Sequence, residues 1–371
     1  MPVGFPKIER TGVEYFSIQE AINSAINGDV ITISGHIFNS EFFENLVIDK
    51  SLTLNFNNCS LMGKSSNMLI SLGNGAKVVV NNISLGRSNC VFICNGESSL
   101  TIVNSCISNV NLFFVGNMFI NGNSFNNTNL TINNGNFLIS NCTISRGGVI
   151  VNGGRSKIIN NVLSYCDVAI QQNGRELNII HNIIKNNEVA INVTNGKSTI
   201  NFNAIYSNVD FSLVFVGDVD FSNNWWASNE PSYISGLSVP SDYFDVYQAE
   251  NIDKGFKSWL VLNFSHSSYL SLDYIIDAVV NDVECYNVSV DLTRNNLGES
   301  FDNLMPLVLD FTINNKYIKY IFVEKNKANL IFNWTTILNE VNLTLFGKDY
   351  LTRSEERRVG KECRSRWSPY H

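Results

Sequence analysis

The acids most able to act together are in "CDVAI" and "NEVAI", where Asp167 and Glu188 stand 21 residues apart at matching places in two similar stretches. If those stretches stack as neighbouring strands, the two carboxylates lie about 5 Å apart. That separation suits a pair of Ca²⁺ ligands or the two carboxyls of a retaining glycosidase. Arg175, Glu176 and His181 fall between them and add a base and further charge. The competing reading is that both acids cap a solvated turn. His181 then reads as an exposed strand residue, and Asp218 and Asp220 as turn and edge charges. Asp167 and Glu188 are therefore weak catalytic candidates. His36, in "SGHIF", belongs to no recognisable site, and no cofactor or metal site is expected.

Positioning these residues requires a repeat, and the chain contains one. Asn makes up about a fifth of residues 21–230. An apolar residue recurs two places after an Asn in "INGNSF", "IINNVL", "IIHNII", "INFNAI" and "FSNNWW". The asparagines are Asn123, Asn161, Asn182, Asn203 and Asn224, and the apolar slot runs through positions 61, 85, 107, 125, 144, 163, 184, 205 and 226. Steps near 20 residues, β-branched strands and Asn-Gly or Gly-Gly turns predict a β-solenoid of nine coils. Each coil reads as an alternating segment such as "KIINNVL" plus a second short strand such as "GVIV". A Leu scaffold for leucine-rich repeats is absent, and the Asn, Gly and β-branched content excludes helical repeats. Asn at one slot can stack as a side-chain ladder, each amide bonding the next coil. Cys59 and Cys142 fall in that slot, so they read as structural thiols.

At the N-terminus, "SIQEAINSAINGD" places Ile18, Ala21, Ile22, Ala25 and Ile26 at helical spacing. Ser17 and Glu20 form a capping-box pattern, with Gly28 as the C-terminal cap. This helix is expected to close one end of the rod. After Trp226 the composition changes. Residues 231–256 read as a linker, and from Trp259 about seven alternating runs, "WLVLNF" to "EVNLTLF", predict an immunoglobulin-like β-sandwich. Trp225 and Trp226 read as a plug over the solenoid's last coil, with a sugar-stacking platform as the alternative.

The opening "FSIQEAINSAINGDVITISG", the Asn-rich coils, "NNWWASNEPSYISG" and the switch to "WLVLNF" together resemble the adhesin-like surface proteins of methanogenic archaea. Those proteins carry a right-handed parallel β-helix of the pectate-lyase-like superfamily. Asn224, Trp225 and Trp226 match the family's coil-terminating motif; Ala227 stands where the family usually has Gly. The resemblance covers roughly residues 14–350. It implies a fold that is all-β, a right-handed single-stranded parallel β-helix over 14–230, with an N-terminal capping helix. An immunoglobulin-like spacer over 257–352, expected to be truncated, follows, with 1–13 as a leader or the start of a fragment. It implies a non-catalytic protein at the cell surface that binds glycans or partner surfaces. The alternative is a polysaccharide lyase or hydrolase on the same fold. Such enzymes set acids and bases on central coils, whereas Glu97 is the sole acid between Lys50 and Cys166. Met and His are too sparse to favour a copper-processing β-helix.

Composition narrows the partners. The net charge is −7. Without the last nineteen residues the chain holds 20 Lys and Arg against 30 Asp and Glu. Such an acidic body argues against nucleic acid. No apolar run is long enough for a transmembrane segment. Met1 to Gly12 has no signal-peptide core, which read literally implies a cytoplasmic protein; the alternative expectation is that the true N-terminus lies elsewhere. The eight cysteines form no CxxC pair and read as buried free thiols. Ten Asn-x-Ser/Thr sequons are present, which suits an exported chain. The basic ending "RSEERRVGKECRSRWSPYH", residues 353–371, matches a translated sequencing adapter residue for residue. It is expected to be foreign to the protein, and Cys363 and Trp367 with it.

Overall fold

The computed structural model describes residues 5–35, 41–64, 68–85, 89–240, 244–250, 255–271, 274–275, 278–279, 283–301, 304, 306–313, 316–334, 340–345 and 348–353. The tail beyond Arg353 and His36 lie outside the described residues. The chain forms two compact units, 1–222 with 232–256, and 223–231 with 257–371.

The first unit is a parallel β-solenoid of about nine coils. Three strands form each complete coil. Arg155–Ile159 belongs to a first sheet, Val162–Ser164 to a third, and Val168–Gln172 to a second. The first and second sheets have eleven strands each. The third runs as six strands from Cys106–Ser108 to Ala204–Tyr206, with three more strands in an earlier set. The expected "KIINNVL" strand is thus two strands. Asn160 breaks it with a left-handed φ of 57°, and the chain turns from the first sheet into the third.

That turn recurs at Asn58, Asn82, Asn104, Asn141, Asn160 and Asn223, with φ between 53° and 58°. Asn tolerates this region better than other side-chain-bearing residues. His181 and Phe202 hold the same conformation, at 58° and 55°. His181 is therefore a turn residue and not an exposed strand residue. In the coils up to Phe202 the next residue points inward and the one after begins a strand of the third sheet or of the earlier three-stranded set. The apolar slot lies in that sheet: Leu61 pairs with Leu85, and Ile107 through Phe125, Ile144, Leu163 and Ile184 to Ile205 pair in register.

Alternation sends every second residue into the interior, where the Phe92 and Phe114 rings stack with centroids 5.3 Å apart and Phe137 tilts against Phe114 at 5.2 Å. Full burial of each such ring or aliphatic chain contributes ~1.5–3 kcal/mol.

The helix spans Ile18–Ser24, shorter than the apolar spacing implied, because Ala25 is already extended. Ser17 Oγ accepts from Glu20 N at 3.1 Å, and the buried Glu44 carboxylate accepts from Ile18 N and Gln19 N at 2.8 and 2.9 Å. Those are orphan donors of the first turn. Ile18, Ala21 and Ile22 are buried, whereas Ile26 is 55% exposed. Gly28 adopts φ 88° beyond the helix and donates its N–H to Ser51 O.

Residues 231–256 supply two strands to the second sheet. Phe244–Gln248 pairs with Phe211–Phe215, and Tyr233–Ser235 pairs with Phe244–Gln248, both in parallel. The three-residue outermost strand is a short edge, which limits pairing with other chains.

The second unit is antiparallel. Leu260–Ser271, Val283–Asn295 and Lys327–Trp334 form one sheet, and Leu307–Ile313 pairs with Lys316–Val323. Trp225 and Trp226 are buried and assigned to this unit. Asn224 bridges Trp259, with Leu260 N donating to Asn224 O at 2.9 Å. The slot series therefore leaves the third sheet after Ile205. Asn229 adds to this pairing within the unit, its carboxamide bonding Leu262 N and O at 2.7 and 2.9 Å.

Candidate functional site

The ladder asparagines are interior groups. Asn161 is fully buried, and its Nδ2 donates to Ile139 O, Ile159 O and Asn182 Oδ1. Asn182 repeats the pattern with Ile158 O, Ile180 O and Asn203 Oδ1. Asn203 donates to Ile179 O and Asn201 O. Asn123 Oδ1 accepts from Ser105 N, and Cys142 takes the intervening place by donating its N–H to Asn161 Oδ1. Every atom of these carboxamides is used inside the wall, so they are not a ligand site. A second interior ladder escaped the sequence reading. Asn187 Oδ1 accepts from Cys166 N, and Asn208 Oδ1 accepts from Asn187 N and Nδ2. Its signal was present as "KNNE" and "YSNVD", 21 residues apart.

Asp167 and Glu188 occupy equivalent places before the paired strands Val168–Gln172 and Val189–Val193. Val189 N donates to Asp167 O at 2.9 Å, and both side chains are exposed. Asp210 continues the column, donating its N–H to Glu188 O at 2.9 Å. Among the described residues, no three His, Cys, Asp or Glu side chains gather closely enough to hold a metal ion. Asp167 shares a cleft of about 430 Å³ with Asn127, Asn129, Arg146, Gly147 and Tyr165. Arg146 and Tyr165 both hold left-handed backbone there, at φ 53° and 59°.

The remaining sequence candidates separate. Glu176 is in the first sheet, between Arg155 and Lys197, and Lys197 pairs onward with Asp218. The four charges alternate in sign up one column, with Arg155 Nε 3.2 Å from Glu176 Oε2. Asp220 accepts from Ser222 N and Oγ at 3.2 and 2.6 Å. His181 is half-buried beside Phe202, with ring centroids 6.0 Å apart. Burial lowers the His181 pKa.

A wider groove lies at the turn from the second sheet to the first. It encloses about 540 Å³ and is lined by Asn134, Asn152, Asn173, Arg175, Asn195 and the intervening glycines. An exposed carboxamide row climbs it: Asn152 Nδ2 donates to Asn133 Oδ1, Asn173 Nδ2 to Asn152 Oδ1, and Thr194 Oγ1 to Asn173 Oδ1. Glycine makes the floor because the coils touch there. A Cβ on Gly154 would lie 2.0 Å from Gly135 O.

Of the solenoid sequons, Asn58, Asn82, Asn129 and Asn141 are exposed, while Asn126 and Asn192 are half-buried. Among the described cysteines, Cys59, Cys90, Cys94, Cys142 and Cys166 are buried and free, whereas Cys106 is exposed. No described helix is long and apolar enough to cross a membrane. Neither a protein family nor a curated protein matches this chain.

Proposed function

We propose that the protein is a non-catalytic, adhesin-like binding rod of the cell surface. Its β-solenoid presents a face to glycans or partner surfaces, and its antiparallel second unit serves as an immunoglobulin-like spacer. The observation that carries this reading is the exposed row Asn133, Asn152, Asn173 and Thr194, which repeats polar groups once per coil. Contacts repeated at about 4.8 Å suit an extended ligand held by many weak bonds. The interior ladders support it by making the wall rigid, so the row needs little ordering on binding.

The competing reading, a polysaccharide lyase or hydrolase, draws on Asp167 beside Arg146 and Tyr165 in one cleft. One experiment separates the two. The chain is immobilised and exposed to a panel of plant, algal and microbial polysaccharides, and both retention and release of new chain ends are measured. The binding-rod reading expects retention without release, unchanged in an Asp167→Asn/Glu188→Gln variant. Chain-end release that this variant abolishes would establish the enzyme instead.

A further inference from the structure

We propose that the groove of Asn134, Asn152, Asn173, Arg175 and Asn195 binds an anionic glycan, with one acid group seated on Arg175. This rests on the binding-rod reading and names its site and ligand class.

The groove's free hydrogen-bonding capacity is mostly donor. Asn134 Oδ1 already accepts from Gly135 N at 2.9 Å, and Asn195 Oδ1 from Gly196 N at 2.8 Å. Asn173 Oδ1 accepts from two groups, Gln171 Nε2 at 2.8 Å and Thr194 Oγ1 at 2.7 Å, and Asn152 Oδ1 accepts from Asn173 Nδ2 at 3.0 Å. Asn134 and Asn195 are thus left offering Nδ2 groups. Arg175 adds a guanidinium that is exposed and, among the described residues, forms no ion pair. A donor-lined groove takes acceptors, and a planar guanidinium takes a carboxylate or sulfate in two-point contact.

Position selects Arg175. Arg155, Glu176, Lys197 and Asp218 are in register, so the residues just before them form one column: Gly154, Arg175, Gly196 and Gly217. Arg175 is the one side chain in a column of glycines, and it stands over a floor of bare backbone. The surroundings are locally basic in an acidic protein. Arg155, Lys157 and Lys197 lie on the adjoining strands and with Arg175 outnumber the carboxylates of that column, Glu176 and Asp218. Glu176 is committed to Arg155 at 3.2 Å. A field of this sign draws a polyanion towards the groove and away from the Asp167–Glu188–Asp210 column.

The test is calorimetric titration of the full chain with three probes of equal length: an oligogalacturonate, a sulfated oligosaccharide and a neutral cello-oligosaccharide. Arg175→Ala keeps an ordinary backbone at an exposed turn, and Lys77→Ala on the first sheet is the control. The expected result is binding of an anionic probe, weakened about 10-fold or more by Arg175→Ala and untouched by Lys77→Ala. Preference between the first two probes tells carboxylate from sulfate. Anionic binding that Arg175→Ala leaves unchanged, or equal binding of the neutral probe, overturns the groove assignment while leaving the rod a glycan binder. Failure of all three probes, together with no retention on the polysaccharide panel, overturns the rod reading itself.

Discussion

Asn161 and Asn182 are joined twice, because Asn182 Oδ1 accepts from both the backbone N and the Nδ2 of Asn161, at 2.9 and 3.0 Å. The same oxygen therefore satisfies a main-chain donor that the turn has removed from the sheets. Asn182→Ala would leave Asn161 N, Ile158 O and Ile180 O without these partners in a dry wall. The expected loss is about 3 kcal/mol of unfolding free energy, since each orphaned buried group costs ~1–3 kcal/mol and relaxation recovers part. Asn152→Ala, which breaks only exposed bonds, is expected to cost under about 1 kcal/mol. Urea unfolding of the two variants followed by circular dichroism checks the contrast.

His181 tests the turn that precedes the ladder. Its backbone is left-handed, and burial lowers its pKa below the ordinary 6.5. A lowered folded pKa means that the neutral form is favoured in the native state. The associated stability is complete above the unfolded pKa and is lost as pH falls from about 6.5 through the folded value. His181→Asn supplies the side chain used at the equivalent position in other coils. Its tolerance of the left-handed turn is expected to raise stability by about 1 kcal/mol, and removing the imidazole is expected to flatten this part of the pH profile. Thermal midpoints at pH 8 and pH 5 for both proteins decide it; a wild-type midpoint that drops no more than the variant's counts against the assignment.

The cysteines divide by burial. Desolvation pushes the Cys59 and Cys94 thiols up to about 11 and raises Cys142 and Cys166 as well. The thiolate is the reactive form, so these four are expected to stay unlabelled in native protein at pH 8. Cys106, exposed at the start of its strand, is expected to react first among the described cysteines. Peptide mapping after brief treatment with iodoacetamide, with and without denaturant, gives the order. Native labelling of Cys142 at the rate of Cys106 would mean that the ladder opens.

Much of this architecture was legible in the chain, and the reasons are specific. Leu163, Ile184 and Ile205 recur at equal steps because each must fill the same interior position, so their spacing also states the strand register. The doublet at Asn160 and Asn161 was only half legible. Its first residue makes the left-handed turn and its second makes the ladder, and composition alone does not distinguish the two roles. Asp210 was missed beside Asp167 and Glu188 because the strand after it, Phe211–Phe215, reads "FSLVF" and lacks the shared Val-Ala-Ile. The groove was missed for another reason. Asn-Gly and Gly-Gly read correctly as turns, but their stacking into a bare floor appears only when one coil rests on the next.

That floor gives a prediction in which two glycines of similar backbone differ in their surroundings. Gly75 and Gly154 have φ values of 77° and 78°, so alanine is equally strained in the backbone at either. A Cβ at Gly75 meets nothing within 4 Å, whereas at Gly154 it would lie 2.0 Å from Gly135 O and 2.7 Å from Gly135 N. Gly75→Ala is expected to cost only the left-handed term, about 1–2 kcal/mol. Gly154→Ala must also push two coils apart and break backbone bonds such as Arg155 N to Gly135 O at 3.0 Å. Its cost is expected to exceed that of Gly75→Ala by about 2 kcal/mol or more, as for other overpacked sites. Equal unfolding midpoints for the two variants would mean that the coils do not rest on each other at this turn, and the groove would lose its floor.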